Sequence, residues 1–272
     1  MAQVLNYHDA VVYDTDVALF RDGGWLNDNC INWFFRMLEH ELFPGRAELL
    51  FMDPAVVSCM MNQCDEADEF VELGRGIEVE RRTTVFVPIN DASDRLSGGS
   101  HWSLLVFERE TDGVPSFRHF DSSKNINHGP AERTAAQFLR LFDGTAGQKK
   151  TPSVDHVGDT PQQQNGYDCG MYTVLLAERL AWKAVARAAA PRSCDTEGAV
   201  GIAGRGDYDG RERRGVDSAR CHEATATKND DGGAGVCGSG VIAMSPEFVS
   251  NARVVARERL ERCIVESGGV TA

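Results

Sequence analysis

A polar, turn-rich run, Pro161-Gln162-Gln163-Gln164-Asn165-Gly166-Tyr167-Asp168-Cys169-Gly170-Met171, leads directly into an apolar stretch with helical spacing. A thiol at a helix N-terminus sits at the positive end of the backbone dipole, which favours the nucleophilic thiolate. Gly170 would leave room for a substrate carbonyl to approach the backbone N–H. A cysteine before an apolar helix is more often a small buried hydrophobe, so Cys169 alone does not establish catalysis. Gly98-Gly99-Ser100-His101-Trp102 places an imidazole at the start of an apolar strand, and Phe120-Asp121-Ser122 ends another strand on a carboxylate. Each of these has a structural reading by itself. Together, a base and an orienting acid at adjacent strand ends, with a thiol at a helix start, form the set that a Cys-His-Asp triad requires. His119 shares the Asp121 face by period-two alternation and competes with His101 for the role of base.

The elements that must position these groups follow from the pattern. Val11 to Phe20 reads as β-like. Gly23-Gly24 and Trp25-Leu26-Asn27-Asp28 come next, with Asn27 or Asp28 able to cap a helix whose Ile31, Phe34, Phe35, Leu38 and Leu42 face the core. Asp53-Pro54 opens a second helix, and the acidic cluster at Asp65, Glu66, Asp68 and Glu69 reads as a solvated helix face. Val85 to Ile89, His101 to Phe107 and Phe117 to Phe120 read as neighbouring strands of one sheet. Ala131 to Phe142 is helical, Ser153 to Val157 a short strand, and Cys169 opens a long helix. Strands and helices come in separate runs without βαβ alternation, which gives α+β.

Residues 1–191 form the expected core. From Arg192 to Gly240 the composition changes: eleven of the 27 glycines fall there and bulky apolar residues nearly vanish. Such a segment buries too little surface to offset its ordering entropy and reads as a disordered insertion, 192–240. Residues 241–272 complete the core with a helix starting at Ser245-Pro246-Glu247 and carrying Phe248, Val249, Val254, Val255, Leu260 and Ile264.

The totals exclude several classes. A formal charge of −13 disfavours nucleic acid and anionic membranes and suits a partner with a basic tail. Met1 to His8 lack the features of a signal peptide, and no apolar run approaches a membrane span, so the eight cysteines are expected as free thiols in the cytoplasm or nucleus. Cys59 and Cys64 do not make a CxxC pair and no histidines are set at helical spacing, so no metal or other cofactor is expected.

In order along the chain, Trp25-Leu26-Asn27-Asp28, Gly99-Ser100-His101-Trp102, His119-Phe120-Asp121-Ser122 and Gln162-Gln163-Gln164-Asn165-Gly166-Tyr167-Asp168-Cys169-Gly170 resemble the sentrin-specific (Ulp-type) cysteine proteases. The wording around His101 and Cys169 is most similar to the deneddylase branch of that family. The resemblance spans residues 1 to about 190, resumes near Ile242, and says nothing of 192–240. It implies a papain-like α+β core with a central, mostly antiparallel sheet flanked by helices. It also implies Cys169 as nucleophile, His101 as general base in preference to His119, Asp121 as orienter and Gln163 as oxyanion donor, with Gln162 and Gln164 leaving the register open. Trp25 and Trp102 match the aromatic residues that cover the substrate's Gly-Gly, where two indoles exclude any Cβ. Asp28 matches a position beside the substrate tail.

The implied activity is hydrolysis after the C-terminal Gly-Gly of a ubiquitin-like modifier, by a monomer, in precursor processing and in deconjugation from lysines. The Nedd/Rub modifier is favoured. Its tail, like that of ubiquitin, carries an arginine before Gly-Gly, which suits an acidic enzyme, and Sumo-type tails are less basic. The rival readings are a Sumo- or ubiquitin-directed protease of the same mechanism, a non-catalytic modifier-binding module, which the intact triad disfavours, and an acetyltransferase using the same three groups.

Overall fold

The computed structural model describes residues 1–92, 99–109, 115–147, 151–189 and 244–268. The insertion expected at 192–240 lies outside the described residues. The chain opens with an antiparallel hairpin, β1 (Gln3–Tyr7) and β2 (Ala10–Tyr13), whose turn puts His8 and Asp9 at positive φ. The β-like stretch expected over Val11 to Phe20 ends early, because α1 (Asp14–Leu19) begins there. Asp16 accepts a hydrogen bond from the Tyr13 N–H at 2.9 Å, and this cap outweighs the β-branched residues around it.

Asn27 caps α2 (Asp28–Met37), its side chain accepting from the Cys30 N–H at 3.1 Å; a π-helical turn, Leu38–Leu42, extends it. Asp53 caps α3 (Pro54–Asn62) with Pro54 in the first turn, and Glu66 and Glu69 close a capping box on α4 (Ala67–Gly76). A five-stranded sheet has the order β3 (Leu49–Phe51), β4 (Thr84–Asn90), β5 (Trp102–Arg109), β6 (Pro115–Phe120) and β7 (Val154–His156). Its two long central pairings are antiparallel and its two short outer ones parallel, so the sheet is mixed. The remaining helices are α5 (His128–Asp143), α6 (Cys169–Ala189) and α7 (Pro246–Glu266).

The sheet is buried on both faces. Phe86, Leu104, Val106 and Phe120 belong to the apolar cluster that includes α2 and α6, whereas Val85, Val87, Ile89, Leu105, Phe107 and Phe117 belong to the one that includes α3, α4 and α5. This explains the continuous apolar runs of β4 and β5, which a half-exposed strand would interrupt. In α7 the buried stripe is Val249, Arg253, Ala256, Leu260 and Ile264, while Phe248, Val254 and Val255 are exposed. The expected apolar face is therefore corrected: positions 249, 253, 256, 260 and 264 keep helical spacing, and the adjacent valines fall outside it.

Candidate active site

The sheet brings the triad candidates together by register. β5 begins at Trp102 and β6 ends at Phe120, and Leu104 pairs with Phe120, so His101 and Asp121 leave their strands at the same edge. The His101 Nε2 lies 2.6 Å from Asp121 Oδ1, and both side chains are buried. Burial alone would pull the imidazole pKa down. Hydrogen bonds to Asp121 and to the Cys169 side chain, together with their charges, outweigh it and raise it to about 9. Since Nε2 serves Asp121, Nδ1 is the nitrogen left for the thiol. Cys169 opens α6 and is itself buried, beside Leu26, Trp102 and Met171 in the apolar cluster.

The carboxylate is held in turn. Burial would raise the pKa of Asp121, but the bond to His101 and those from the Ser123 and Asn127 backbone N–H groups, at 2.9 and 3.1 Å, win and lower it. Two residues the sequence did not single out as site residues hold His101 in place. Asp91 accepts from the Ser100 N–H, the Ser100 hydroxyl and the His101 N–H at 2.5 to 2.8 Å, fixing the backbone that carries the imidazole. Asn127, fully buried, donates from Nδ2 to the His101 carbonyl at 3.3 Å and to Ser103 Oγ at 3.0 Å. An Asp just beyond a strand end and an Asn just before a helix have the look of ordinary turn and cap residues, so no local signal marked them.

His119 is directed elsewhere. Its Nε2 meets Ser103 Oγ at 2.9 Å, its Nδ1 meets His156 Nδ1 at 3.0 Å, and burial drives its pKa down to about 4. His101, by contrast, has Asp121 and the Cys169 side chain as its partners.

The three glutamines separate by their partners. Gln162 spends its amide on the Asp121 and Thr160 carbonyls, both at 2.9 Å, bracing the acid loop from behind. Gln163 accepts from the Ser122 hydroxyl at 2.7 Å and donates to the Asn165 carbonyl at 2.7 Å. Gln164 is exposed. The turn after them is closed by Asn165 Oδ1, which accepts from the Tyr167 and Asp168 N–H groups.

Trp102 is buried and its indole N–H donates to the Leu26 carbonyl at 2.9 Å, while Trp25 next door is about half exposed. The two indoles are therefore unequal: one is built into the wall and the other stands free at the surface. Gly170 is also required by packing. A Cβ there would lie 2.8 Å from the Leu26 Cβ, so the missing side chain admits the Trp25-Leu26 segment against the start of α6. Asp28 and Trp102 share a cleft of about 580 Å³ with Gly99 and Met61. Asp28 is exposed, yet partial desolvation by the protein around it, and then the Asp53 charge, hold its carboxyl above the usual range. Away from the triad, His119, His128 and His156 gather within metal-binding distance of one another.

Residues 24–197 match the model of the Ulp1 protease family, C-terminal catalytic domain. Human sentrin-specific protease 8 is 34% identical over 181 residues, covering 65% of this chain and 80% of that protein. NEDD8-specific protease 1 of Arabidopsis thaliana is 27% identical over 178 residues, covering 64% of this chain and 74% of the relative. The structure of the SUMO protease Ulp1 with its catalytic cysteine oxidized to a sulfonic acid superposes with a TM-score of 0.52 at 19% identity, over 72% of this chain and 81% of that one, a likeness of fold. The thiol, imidazole and carboxylate assembled at one sheet edge fall inside the matched segment, and the chain belongs to the Ulp1 protease family of cysteine peptidases.

Proposed function

We propose that this cysteine protease hydrolyses the bond after the C-terminal Gly-Gly of a ubiquitin-like modifier of the Nedd/Rub type, both in precursors and in conjugates to lysine. The observation that carries the reading is the buried His101, tied to Asp121 at 2.6 Å and raised to a pKa of about 9 by its two partners. Such an imidazole stays protonated at neutral pH and stabilises a thiolate beside it.

The Cys169 thiolate attacks the carbonyl carbon of the terminal glycine. The oxyanion is held by the Gln163 side chain and by the Cys169 N–H, which at the first helical position has no acceptor within α6. His101 gives its proton to the leaving amine, and a thioester remains. Water then attacks as the now neutral imidazole takes its proton, and the thiolate departs. The Trp102 wall and the exposed Trp25 suit a tail whose last two residues lack side chains, and the Asp28 carboxylate in the neighbouring cleft suits an arginine just upstream. The names of the curated relatives favour the Nedd/Rub class over others. The described cysteines, Cys30, Cys59, Cys64, Cys169 and Cys263, are free thiols, and this supports placing the reaction in the reducing cytoplasm or nucleus.

The test is a panel of Nedd/Rub, ubiquitin and Sumo fusions cleaved side by side by the full chain and by Cys169→Ala. Preferred cleavage of the Nedd/Rub fusion after Gly-Gly, abolished in Cys169→Ala with modifier binding retained, is expected. Normal turnover by the variant would end the cysteine mechanism, and equal or better cleavage of another modifier would end the specificity.

A further inference from the structure

The parallel pairing of β6 with β7 sets His119 directly opposite His156, so the two side chains emerge on the same face of neighbouring strands. Their Nδ1 atoms are 3.0 Å apart. His128, the first residue of α5, stacks its ring on that of His156 with centroids 3.8 Å apart. One nitrogen from each of the three rings lies within 4.8 Å of the others. Imidazole is the preferred protein ligand for zinc and its neighbours in the first transition row. Two nitrogens bound tetrahedrally to one zinc ion at 2.0–2.1 Å are separated by roughly 3.3 Å, close to the spacing already present.

The surroundings fit a nitrogen ligand set. The Nε2 of His119 is engaged by Ser103 Oγ at 2.9 Å, and Ser103 is steadied by Asn127 Nδ2 at 3.0 Å. This fixes the buried ring and leaves Nδ1 directed at the cluster, the outer partner that metal-bound histidines characteristically have. The Glu132 carboxylate stands 3.5 Å from His156 Nε2, an atom that is buried without a hydrogen-bond partner. A cleft of about 210 Å³, lined by the three histidines together with Lys124, Asn125 and Gln162, gives an ion access from solvent. Lys124 opposes a cation there. Asp121 lines the same cleft but is committed to His101. His128 is partly buried at the first residue of α5 and lines the cleft, so its ring can turn from stacking on His156 toward the other two nitrogens.

We propose that His119, His128 and His156 form a binding site for a divalent transition-metal ion of the zinc class, joining β6, the short edge strand β7 and the start of α5. Without an ion, the close approach of His119 and His156 is an N–H···N hydrogen bond; with one, both Nδ1 atoms turn their lone pairs to the metal and the proton between them moves to the far nitrogen of its own ring, with no net release. The bound ion clips a three-residue strand and the loop 121–128, which supplies the Ser123 and Asn127 donors to Asp121. This proposal is independent of which modifier the protease cleaves.

The test uses the full chain with zinc, and with cobalt as its spectroscopic stand-in. Zinc at about a hundred times its Kd is expected to raise the melting midpoint by roughly 5 °C, since an ion that binds only the folded state stabilises it by mass action. Cobalt is expected to give visible ligand-field bands of a nitrogen and oxygen set, without thiolate charge transfer. His128→Ala and His156→Ala, both at half-buried positions, are chosen because His119→Ala risks misfolding; each is expected to weaken binding tenfold or more and to remove the thermal shift. No thermal shift, affinity unchanged in both variants, or a cobalt spectrum dominated by sulfur would overturn the site.

Discussion

The three consecutive glutamines before Cys169 are alike in spacing and differ in their hydrogen bonds. Gln162 uses its amide on two backbone carbonyls, whereas Gln163 donates one bond, to Asn165, among the described residues. A second amide hydrogen is thus available for an oxyanion. Gln163→Ala is expected to lower kcat about a hundredfold or more with KM little changed, the usual cost of one oxyanion donor, measured by steady-state cleavage of a modifier fusion. An equal loss in kcat from Gln164→Ala would move the role elsewhere. The same economy distinguishes the two histidines. His101 and His119 each lie near a strand end; the family resemblance favours His101, and the partners of the two rings differ in the same sense. With its pKa raised to about 9, His101 contributes stability that is complete below its unfolded value of 6.5 and is lost as pH rises through 9. Activity follows the same limb, because deprotonation removes both the thiolate's partner and the acid for the leaving amine. The alkaline limb of kcat/KM is expected near pH 9, and Asp121→Asn is expected to move it down by about 1 pH unit or more. A limb that stays in place would detach Asp121 from the base.

Elements were legible where a cap announced them. Asn27, Asp53 and Ser245 each accept a backbone N–H at the start of a helix, and each sits before a periodic apolar stretch in the sequence. Strands β1 and β3 were not legible. β3 has three residues and exists because β4 offers it a parallel ladder, a non-local cause that no window around Leu49 contains. The burial of Arg253 in α7 was equally hidden, since an arginine between apolar residues looks like a solvated position. Its guanidinium donates to the Leu19, Arg21 and Gly24 carbonyls at 2.8 to 3.3 Å and pairs with Asp168 at 2.7 Å. One side chain thereby joins the last helix to the segment before Trp25 and to the residue before Cys169. Arg253→Met keeps the volume but strands Asp168 as a buried unpaired charge, a loss of about 3–5 kcal/mol. Thermal and denaturant unfolding are expected to show it, and kcat is expected to fall in whatever folded fraction remains. Arg253→Lys should recover part of the stability, because it restores a charge without the planar fork. Wild-type stability in Arg253→Met would mean that the carbonyls and Asp168 find other partners.

At the scale of the whole molecule, the triad depends on three structural features far apart in sequence: the β5 start, the β6 end and the α6 N-terminus. The antiparallel pairing that aligns the first two was implied by the family resemblance, since continuously apolar strands carry no register of their own. The parallel outer pairings were not, because each involves a three-residue strand. All the groups assigned to the reaction lie within residues 25–169, and α7 packs against α6 through an apolar stripe that includes Ala256, Leu260 and Ile264. Residues 192–240 contribute none of these groups, and their glycine-rich composition holds almost no large apolar side chains. Loop closure is a weak function of length, about 0.6 kcal/mol for each doubling, so a long connection between two helices and a short one differ little in stability. Replacing 192–240 by a short flexible linker is therefore expected to leave a folded protease whose melting midpoint moves by no more than a few degrees and whose cleavage of a modifier fusion stays within about twofold. The comparison requires both measurements on the full chain and the deletion. A product that unfolds would show that the segment contributes to the core, and a folded product without cleavage would make it part of the substrate-binding surface, in either case moving the functional boundary past Arg192.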